Sequence, residues 1–488
     1  MSLIKHNFIY NALLSLSQVV FPLITFPYVS RILGPNGIGQ VGFVDSFTQY
    51  FILFSTLGIP LYGVRELSKV RNDNDKSSKL FTELISIHLF CTLIFLIIYA
   101  FAAFFLNDKG INTNLFFIGA GILLSNVFIV EWYYQSQEKF QYITKRTIFI
   151  RFIFILLLFL IVSDKNDLVK YYTLFLILNI LNAIFNFYFI IKSDLKLIFV
   201  NLDLSKHIKP LLLLMSCTVI GSIYVLLDNV ILGIISTPES VGYYTSAIRI
   251  VKIPISLIGS FGIVLIPKLS ESFSTKDLES IKYYIHKSSH FVLTFGIPVS
   301  FGIALTSKWT VLLLSGNQFF PSIELVQYLA PIVVLISLNG IFFFQLFTPG
   351  GMEITMIKIL SVSAFISVAL NLTLIPKFAH LGAAITTTIT ELSVFLLSIY
   401  YSIKHFKIGI NYKFFLTPFF VSLLFVPIVY FTDMLALDTF LKIIISFILC
   451  VVVYYFIMKL IFKNEIIISM ECFVRDTVRA ILNSSKYS

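Results

Sequence analysis

Long apolar runs separated by short polar connections extend along almost the whole chain. Runs of about 20 residues, enough to cross a hydrocarbon core as helix, begin near Asn11, Ile38, Leu80, Asn114, Thr147, Leu168 and Pro210. Others begin near Val241, Phe291, Ile323, Ile357, Leu381, Phe415 and Thr439. The pattern predicts an all-α polytopic membrane protein of about fourteen transmembrane helices. A β-barrel is excluded, because its strands alternate apolar and polar residues over about 10 positions and these runs are unbroken. Past Asn464, the residues Ile467, Met470, Phe473, Val474, Val478 and Ile481 recur at helical spacing among Glu471, Arg475, Asp476 and Arg479. That spacing predicts an amphipathic tail helix lying on the cytoplasmic interface.

Composition closes off the soluble alternatives. Of 488 residues, 58% are hydrophobic and 12% charged, with a mean hydropathy of +0.92, against about 45–50% and about 25% in a soluble domain. Cys91, Cys217, Cys450 and Cys472 stand far apart and form no metal or redox motif, so they read as packing residues. No small-residue cleavage site follows the first apolar run, which reads as a retained span. The net charge of +11 matters through its placement. With the N-terminus in the cytoplasm, most of the 36 basic residues fall on inner connections, among them Lys139, Lys145, Arg146 and Arg151, while Arg31, Lys109, Lys165, Lys170, Lys308 and Lys377 fall outside. This bias places both termini in the cytoplasm and calls for no nucleic-acid partner.

A short echo links two parts of the chain. Ile32-Leu33-Gly34 precedes Ile38-Gly39-Gln40-Val41-Gly42, and Ile231-Leu232-Gly233 precedes Val241-Gly242-Tyr243-Tyr244. An even number of spans separates the copies, so the repeat is parallel, about an axis along the membrane normal. Gly37 to Gly42 matches GxGxxG without the strand that a dinucleotide site needs; a tight turn and close helix packing explain it better. His286 and His290 at i, i+4 have no third ligand nearby and read as part of a solvated inner loop, so no metal site is expected. Walker A, HExxH and GxSxG sequences are absent, which points away from an enzyme and from ATP-driven export, and no cofactor is expected.

The informative residues are polar groups at membrane depth, where an ionisable side chain costs about 2.5–3.5 kcal/mol and faces a cavity or a partner. The first span aligns Asn11, Ser15, Gln18, Pro22 and Thr25 on one face. The second carries Asp45, Thr48 and Gln49; the seventh carries Thr218, Ser222 and Asn229 with Asp228 beside them; the eighth carries Arg249 and Lys252 at i, i+3. These faces line one cavity in the functional reading, and only bond helix to helix in the structural one. Glu391, in the middle of the twelfth span with Thr387 and Ser398, is a candidate ion-coupling carboxylate; the alternative is a pair with a basic neighbour.

Several of these segments together resemble a known family. They are Phe26-Pro27-Tyr28-Val29-Ser30-Arg31-Ile32-Leu33-Gly34-Pro35, then Leu57-Gly58-Ile59-Pro60 leading to Arg65-Glu66, and Glu131-Trp132-Tyr133-Tyr134-Gln135 followed by Glu138 to Thr144. Later come Asp228-Asn229-Val230-Ile231-Leu232-Gly233, Val241 to Tyr244, Asn371-Leu372 through Ile375-Pro376, and Gly382-Ala383-Ala384 to Glu391. From Asn7 to about His405 the chain resembles the Wzx-type O-antigen and capsule repeat-unit flippases, polysaccharide transporters of the multidrug/oligosaccharidyl-lipid/polysaccharide superfamily.

The resemblance implies two six-helix lobes around a central cavity, 1–200 and 201–405, plus accessory helices over 406–463 and the tail over 464–488. It implies gradient-coupled alternating access in a bacterial cytoplasmic membrane, carrying an undecaprenyl-pyrophosphate-linked oligosaccharide from the inner to the outer leaflet. Membrane lipids, a polysaccharide polymerase and a chain-length regulator are the partners that go with such a role. Arg31, Arg249 and Lys252 would offset the pyrophosphate charge, and Asn11, Ser15, Gln18, Asp45, Gln49, Asp228 and Asn229 would line the cavity. A lipid II flippase and a small-molecule or drug/cation antiporter share the architecture. A membrane glycosyltransferase, polymerase or ligase needs a larger outer loop than the connections at 164–167 or 237–240 provide. From the charge bias, cysteines at Lys165 and Ser236 should react with an impermeant thiol reagent outside intact cells, and cysteines at Asn72 and Lys276 should not; outside labelling at Asn72 would reverse the orientation.

Overall fold

The structure is a computed structural model that describes residues 3–106, 110–192, 195–472 and 475. Helix is the only regular structure among them, as hydrocarbon requires, because only helices and closed barrels satisfy every backbone group without water. In chain order the helices are α1 (Leu3–Thr56), α2 (Ile59–Val70), α3 (Asn74–Leu106), α4 (Thr113–Asn126), α5 (Glu131–Ser136) and α6 (Phe140–Ile161). Next come α7 (Leu168–Ile191), α8 (Ser205–Ile235), α9 (Pro238–Ser274), α10 (Leu278–Leu305), α11 (Ser307–Leu314) and α12 (Ser322–Leu329). The last are α13 (Ile332–Gly340), continued by a π-helical stretch (Ile341–Phe347), α14 (Glu353–Phe378), α15 (His380–Phe406), α16 (Tyr412–Ser422), α17 (Phe425–Met434) and α18 (Thr439–Leu460).

The chain is a multi-pass membrane protein: nine helical stretches among the described residues are long and apolar enough to cross a bilayer, or ten if the bent pair Ser322–Leu329 and Ile332–Phe347 is one crossing. Each apolar run picked out by hydropathy is helical. Large apolar side chains cover the outside, including Phe90, Ile97, Phe101 and Phe104 along α3, whereas Thr48, Thr92, Asn371, Ser367, Asn339 and Gln345 are buried. This distribution inverts that of a water-soluble core and suits a lipid surround.

The described chain packs as two compact units. The first comprises residues 1–245, 314–318 and 367–383; the second comprises 246–313, 319–366 and 384–488.

In the first unit, α1 packs on α3, α4, α6 and α8. It breaks at Gly34, whose φ of 66° is open to glycine and costly for other residues, and a Cβ there would also strike the Gln318 side chain. The two copies of the echo then meet. A Cβ on Gly39 would lie 1.7 Å from the Pro238 carbonyl oxygen, and one on Gly242 would lie 2.0 Å from that of Pro35. Asn36 donates to Glu239 across the same contact. These glycines therefore serve backbone approach, in a helical setting with no nucleotide-binding strand. Trp132, Tyr133 and Tyr134 of the Glu131 segment are buried against Phe81 and Leu84 of α3 and Ile59 and Tyr62 of α2, so the aromatic part of that motif is core.

The connection from α7 to α8 is strapped to α3: Lys196 N donates to Ser78 Oγ, Ile198 N to Thr82 Oγ1 and Asp203 N to Glu83 Oε1, each at 3.0 Å. Glu83 also holds Lys206 and His207 at 2.9 Å, and the other His207 nitrogen is 2.8 Å from the Tyr62 hydroxyl.

The second unit centres on α10, which contacts α12, α13, α16 and α17. Here the expectation of a solvated loop at His286 and His290 fails. Helix α10 starts at Leu278, well before the apolar run, and His290 is buried, stacked on Phe414 at 3.9 Å and 3.0 Å from Asn464 Nδ2. The polar first three turns still belong to the helix, and a neighbouring ring covers them at His290. The chain is again helical over 465–472. There Ile467 packs with Trp309, Val421 and Met458, and Lys459, with Tyr455 and Arg475, holds the Glu471 carboxyl down at about 2. That lowered value means the pairing stabilises the tail fully at neutral pH and is lost only as pH falls from about 4 towards 2. The later part of the tail, including Phe473, Val474, Val478 and Ile481, lies outside the described residues, as do the side chains of Cys217, Thr218 and Ser222.

Gly39→Ala and Gly242→Ala should each destabilise the protein by about 1–3 kcal/mol through overpacking, read as a lower thermal midpoint in detergent. Gly302→Ala, with nothing within 4 Å of its new Cβ, should be neutral or stabilising, since alanine is the better helix former. Equal midpoints for all three variants would refute the close approach.

Candidate functional site

In hydrocarbon a carboxylate survives only with its oxygens engaged, and the first unit engages Asp228 closely. Asp228 is 3% exposed; its Oδ2 accepts from the Tyr244 hydroxyl at 2.9 Å and its Oδ1 from Asn371 Nδ2 at 2.7 Å. Asn371, itself wholly buried, also reaches Ser367 Oγ at 3.3 Å. Beside it Asn229 Nδ2 donates to Ser46 Oγ of α1 at 3.0 Å. The consecutive helices α8 and α9 and the distant α14 thus converge on one carboxylate. Asp45 and Gln49 are half-buried on α1, and Thr48 between them is buried, 3.1 Å from the Tyr99 hydroxyl.

The other predicted residues divide by position. Ser15 and Gln18 are exposed on α1, Thr25 is buried and donates to the Phe21 carbonyl at 3.0 Å, and the Asn11 side chain lies outside the described residues. Arg31 is exposed where α1 approaches its break, donating to the Pro27 carbonyl at 2.7 Å. Arg249, half-buried, and Lys252, exposed, belong to the second unit. They stand about 16 and 21 Å along α9 from Pro238, deep within a long helix. The second unit also holds Glu391, 4% exposed, with Asn339 Nδ2 2.9 Å from its Oε2. Asn339 Oδ1, and on the same helix as Glu391 Thr386 Oγ1, Thr390 Oγ1 and Ser398 Oγ, are buried without a hydrogen-bond partner among the described residues.

Hydropathy did not single out Asn371 or Asn339 as partners of these acids. The available signal was an amide in an otherwise apolar helix, which is costly unless it bonds. No group of three or more His, Cys, Asp or Glu side chains suited to a metal occurs among the described residues. A cavity of about 790 Å³ lies elsewhere in the second unit, walled by apolar residues of α10, α17 and α18 such as Phe295, Pro298, Phe425 and Phe447. Such a wall suits a hydrocarbon chain and offers little to a sugar.

Comparison with known proteins follows the same lines. The family model described as "Polysaccharide biosynthesis protein" matches residues 4–273. A protein of Escherichia coli (strain K12) called a putative O-antigen transporter is 25% identical over 394 residues, spanning 80% of this chain and 94% of its own. A solved lipid II flippase in an inward closed conformation superposes with a TM-score of 0.77 at 16% identity, covering 95% of this chain and all of the other. A multidrug resistance transporter of the MATE family superposes with a TM-score of 0.65 at 13% identity, over 80% and 94%. At these identities the superpositions establish the fold.

Asn371→Ala should lower stability by about 1–3 kcal/mol, the cost of leaving a buried carboxylate short of a donor. Asp228→Asn in the Asn371→Ala background should recover part of that loss, because the charge needing the donor is gone. Thermal unfolding of the purified variants measures both; additive losses in the double variant would sink the pairing.

Proposed function

Because the chain belongs to the polysaccharide biosynthesis protein family, we propose that it is a flippase. It moves undecaprenyl-pyrophosphate-linked oligosaccharide repeat units, of O-antigen, capsule or exopolysaccharide, from the inner to the outer leaflet of a bacterial cytoplasmic membrane. The observation that carries this reading is the match to the O-antigen transporter over 80% of this chain, in a molecule built as a bundle of membrane helices. It is a transporter and not an enzyme, with about fourteen crossings, cytoplasmic termini and two lobes that alternate access.

Arg31, Arg249 and Lys252 are the proposed pyrophosphate ligands. A pyrophosphate leaving water needs cations, arginine forks onto its oxygens and lysine adds a point charge. Asn11, Ser15, Gln18, Asp45, Gln49, Asp228 and Asn229 are the proposed polar lining, with Asp228 held in place by Tyr244 and Asn371. Glu391 is the proposed coupling group, supported by its burial and by the unpartnered oxygen of Asn339 beside it, which suit a site that gains and loses a cation. A polymerase and a chain-length regulator are proposed partners after translocation. The lipid II alternative keeps support from the likeness to the solved flippase, and the choice between them lies in the sugar.

Deleting the gene should abolish surface polysaccharide while lipid-linked repeat units accumulate inside; unchanged polymer would end the proposal. In complemented cells Arg249→Ala should lower surface polymer about tenfold or more at equal protein abundance, the loss of a charge-assisted contact, and Arg249→Lys should fall between. Glu391→Gln should flatten the pH dependence of transport; a pH profile identical to the parent's would remove Glu391 from coupling.

A further inference from the structure

Hydropathy places Arg146 and Arg151 on an inner flank, before an apolar run near Thr147. In the structure α6 begins at Phe140, so both arginines are helical residues, and Arg151 stands about 16 Å along the axis from Phe140. The two differ in their surroundings. The Arg146 side chain is 3% exposed and accounted for by protein: it donates to Asn186 Oδ1 on α7 and lies 3.6 Å from Glu131 Oε1 and 5.6 Å from the centre of the Tyr142 ring. It is a structural tie between α5, α6 and α7.

Arg151 has no such company. It is half-buried, donates from Nη1 to the Ser17 hydroxyl of α1 and rests 5.6 Å from the centre of the Phe21 ring. No carboxylate lies within 4 Å of it among the described residues, and Glu131, the acid whose field reaches it, is the one that faces Arg146. A guanidinium has five N–H donors in a rigid fork, and a hydroxyl and a ring face leave most of that fork unused. Arg151 lies midway along α6, eleven residues from Phe140 and ten from Ile161.

What stands level with Arg151 is polar. Helices α6 and α7 run antiparallel, in a register set by the Arg146–Asn186 bond and by the Phe154–Phe175 ring contact at 5.3 Å. That register brings Asn179 and Asn182 to the height of Arg151. Each spends its amide nitrogen on its own helix, Asn179 on the Phe175 carbonyl and Asn182 on the Leu178 carbonyl, both at 2.9 Å. The two carboxamide oxygens remain as acceptors, and both residues are only partly buried.

We propose that Arg151 is a substrate-binding residue of the first unit, whose guanidinium takes an oxyanion of the cargo while Ser17, Asn179 and Asn182 take neighbouring hydroxyls. This deepens the flippase reading and rests on it. The ligand chemistry is a phosphate or carboxylate bound through the fork, supplied by the carrier pyrophosphate or by an acidic sugar.

Purified full-length protein in nanodiscs, titrated with inorganic pyrophosphate and separately with glucuronate while its thermal midpoint is followed, tests this. One probe should stabilise the parent, and its apparent Kd should rise about tenfold or more in Arg151→Gln and less in Arg151→Lys, which keeps the charge and loses the fork. Loss of the pyrophosphate response assigns the carrier, and loss of the glucuronate response assigns an acidic sugar. Parent-like responses of Arg151→Gln to both probes, or no response of the parent to either, would overturn the site. If Arg151→Gln does not fold, Arg151→Lys gives the same reading at smaller amplitude. Binding is read without polymer synthesis, so this result stands apart from the gene-deletion test of the flippase reading.

Discussion

A polar group inside this molecule gains no partner from the hydrocarbon around it, so the protein has to supply one or bear the cost. The consequences run through each level of the structure. The backbone is helical wherever it is regular, phenylalanine and isoleucine are turned outward along α3, and serine, threonine and asparagine are turned in. The few buried acids make the cost visible. Asp228 has a phenol and an amide, Glu83 has a lysine, a histidine and a backbone N–H, and Glu391 has an amide. In each case at least one donor comes from a helix distant in sequence, so the acids also fix which helices lie together.

Close backbone approach is the second device, and it follows from the first. Helices surrounded by lipid gain no hydrophobic drive from meeting one another, so they associate by packing, for which small residues are the means. The mutual contact of Gly39 with Pro238 and of Gly242 with Pro35 leaves no room for a methyl group. It joins the two copies of a repeated segment face to face and gives a physical meaning to an echo that was only a spelling in the sequence. Around it Asn36 and Glu239 add a polar clasp.

The arginines show how one residue type serves opposite ends. Arg146 is enclosed and bonded to the protein, and its loss would be felt as instability. Arg151, one and a half turns on, has a hydroxyl and a ring face but no carboxylate within 4 Å among the described residues. A half-buried guanidinium with most of its donors unused suits a ligand that arrives with negative charge, and the proposed cargo carries such charge.

Chain-long hydropathy by itself determined the class of molecule and the helical runs, because a membrane imposes length and polarity on each segment separately, and short motifs such as Glu131 to Gln135 carried the family resemblance. Local pattern also flagged Asp228, Glu391 and the glycine echo as unusual. What it left undecided was every partner. That Tyr244 and Asn371 meet Asp228, that His290 is covered by Phe414 instead of water, that the Trp132 to Tyr134 stretch is core, and that Arg151 stands inside a helix were settled only by tertiary packing. The physical reason is that a hydrogen bond or a ring contact depends on the distance between helices and on their rotation. Neither is written in the periodicity of any one of them.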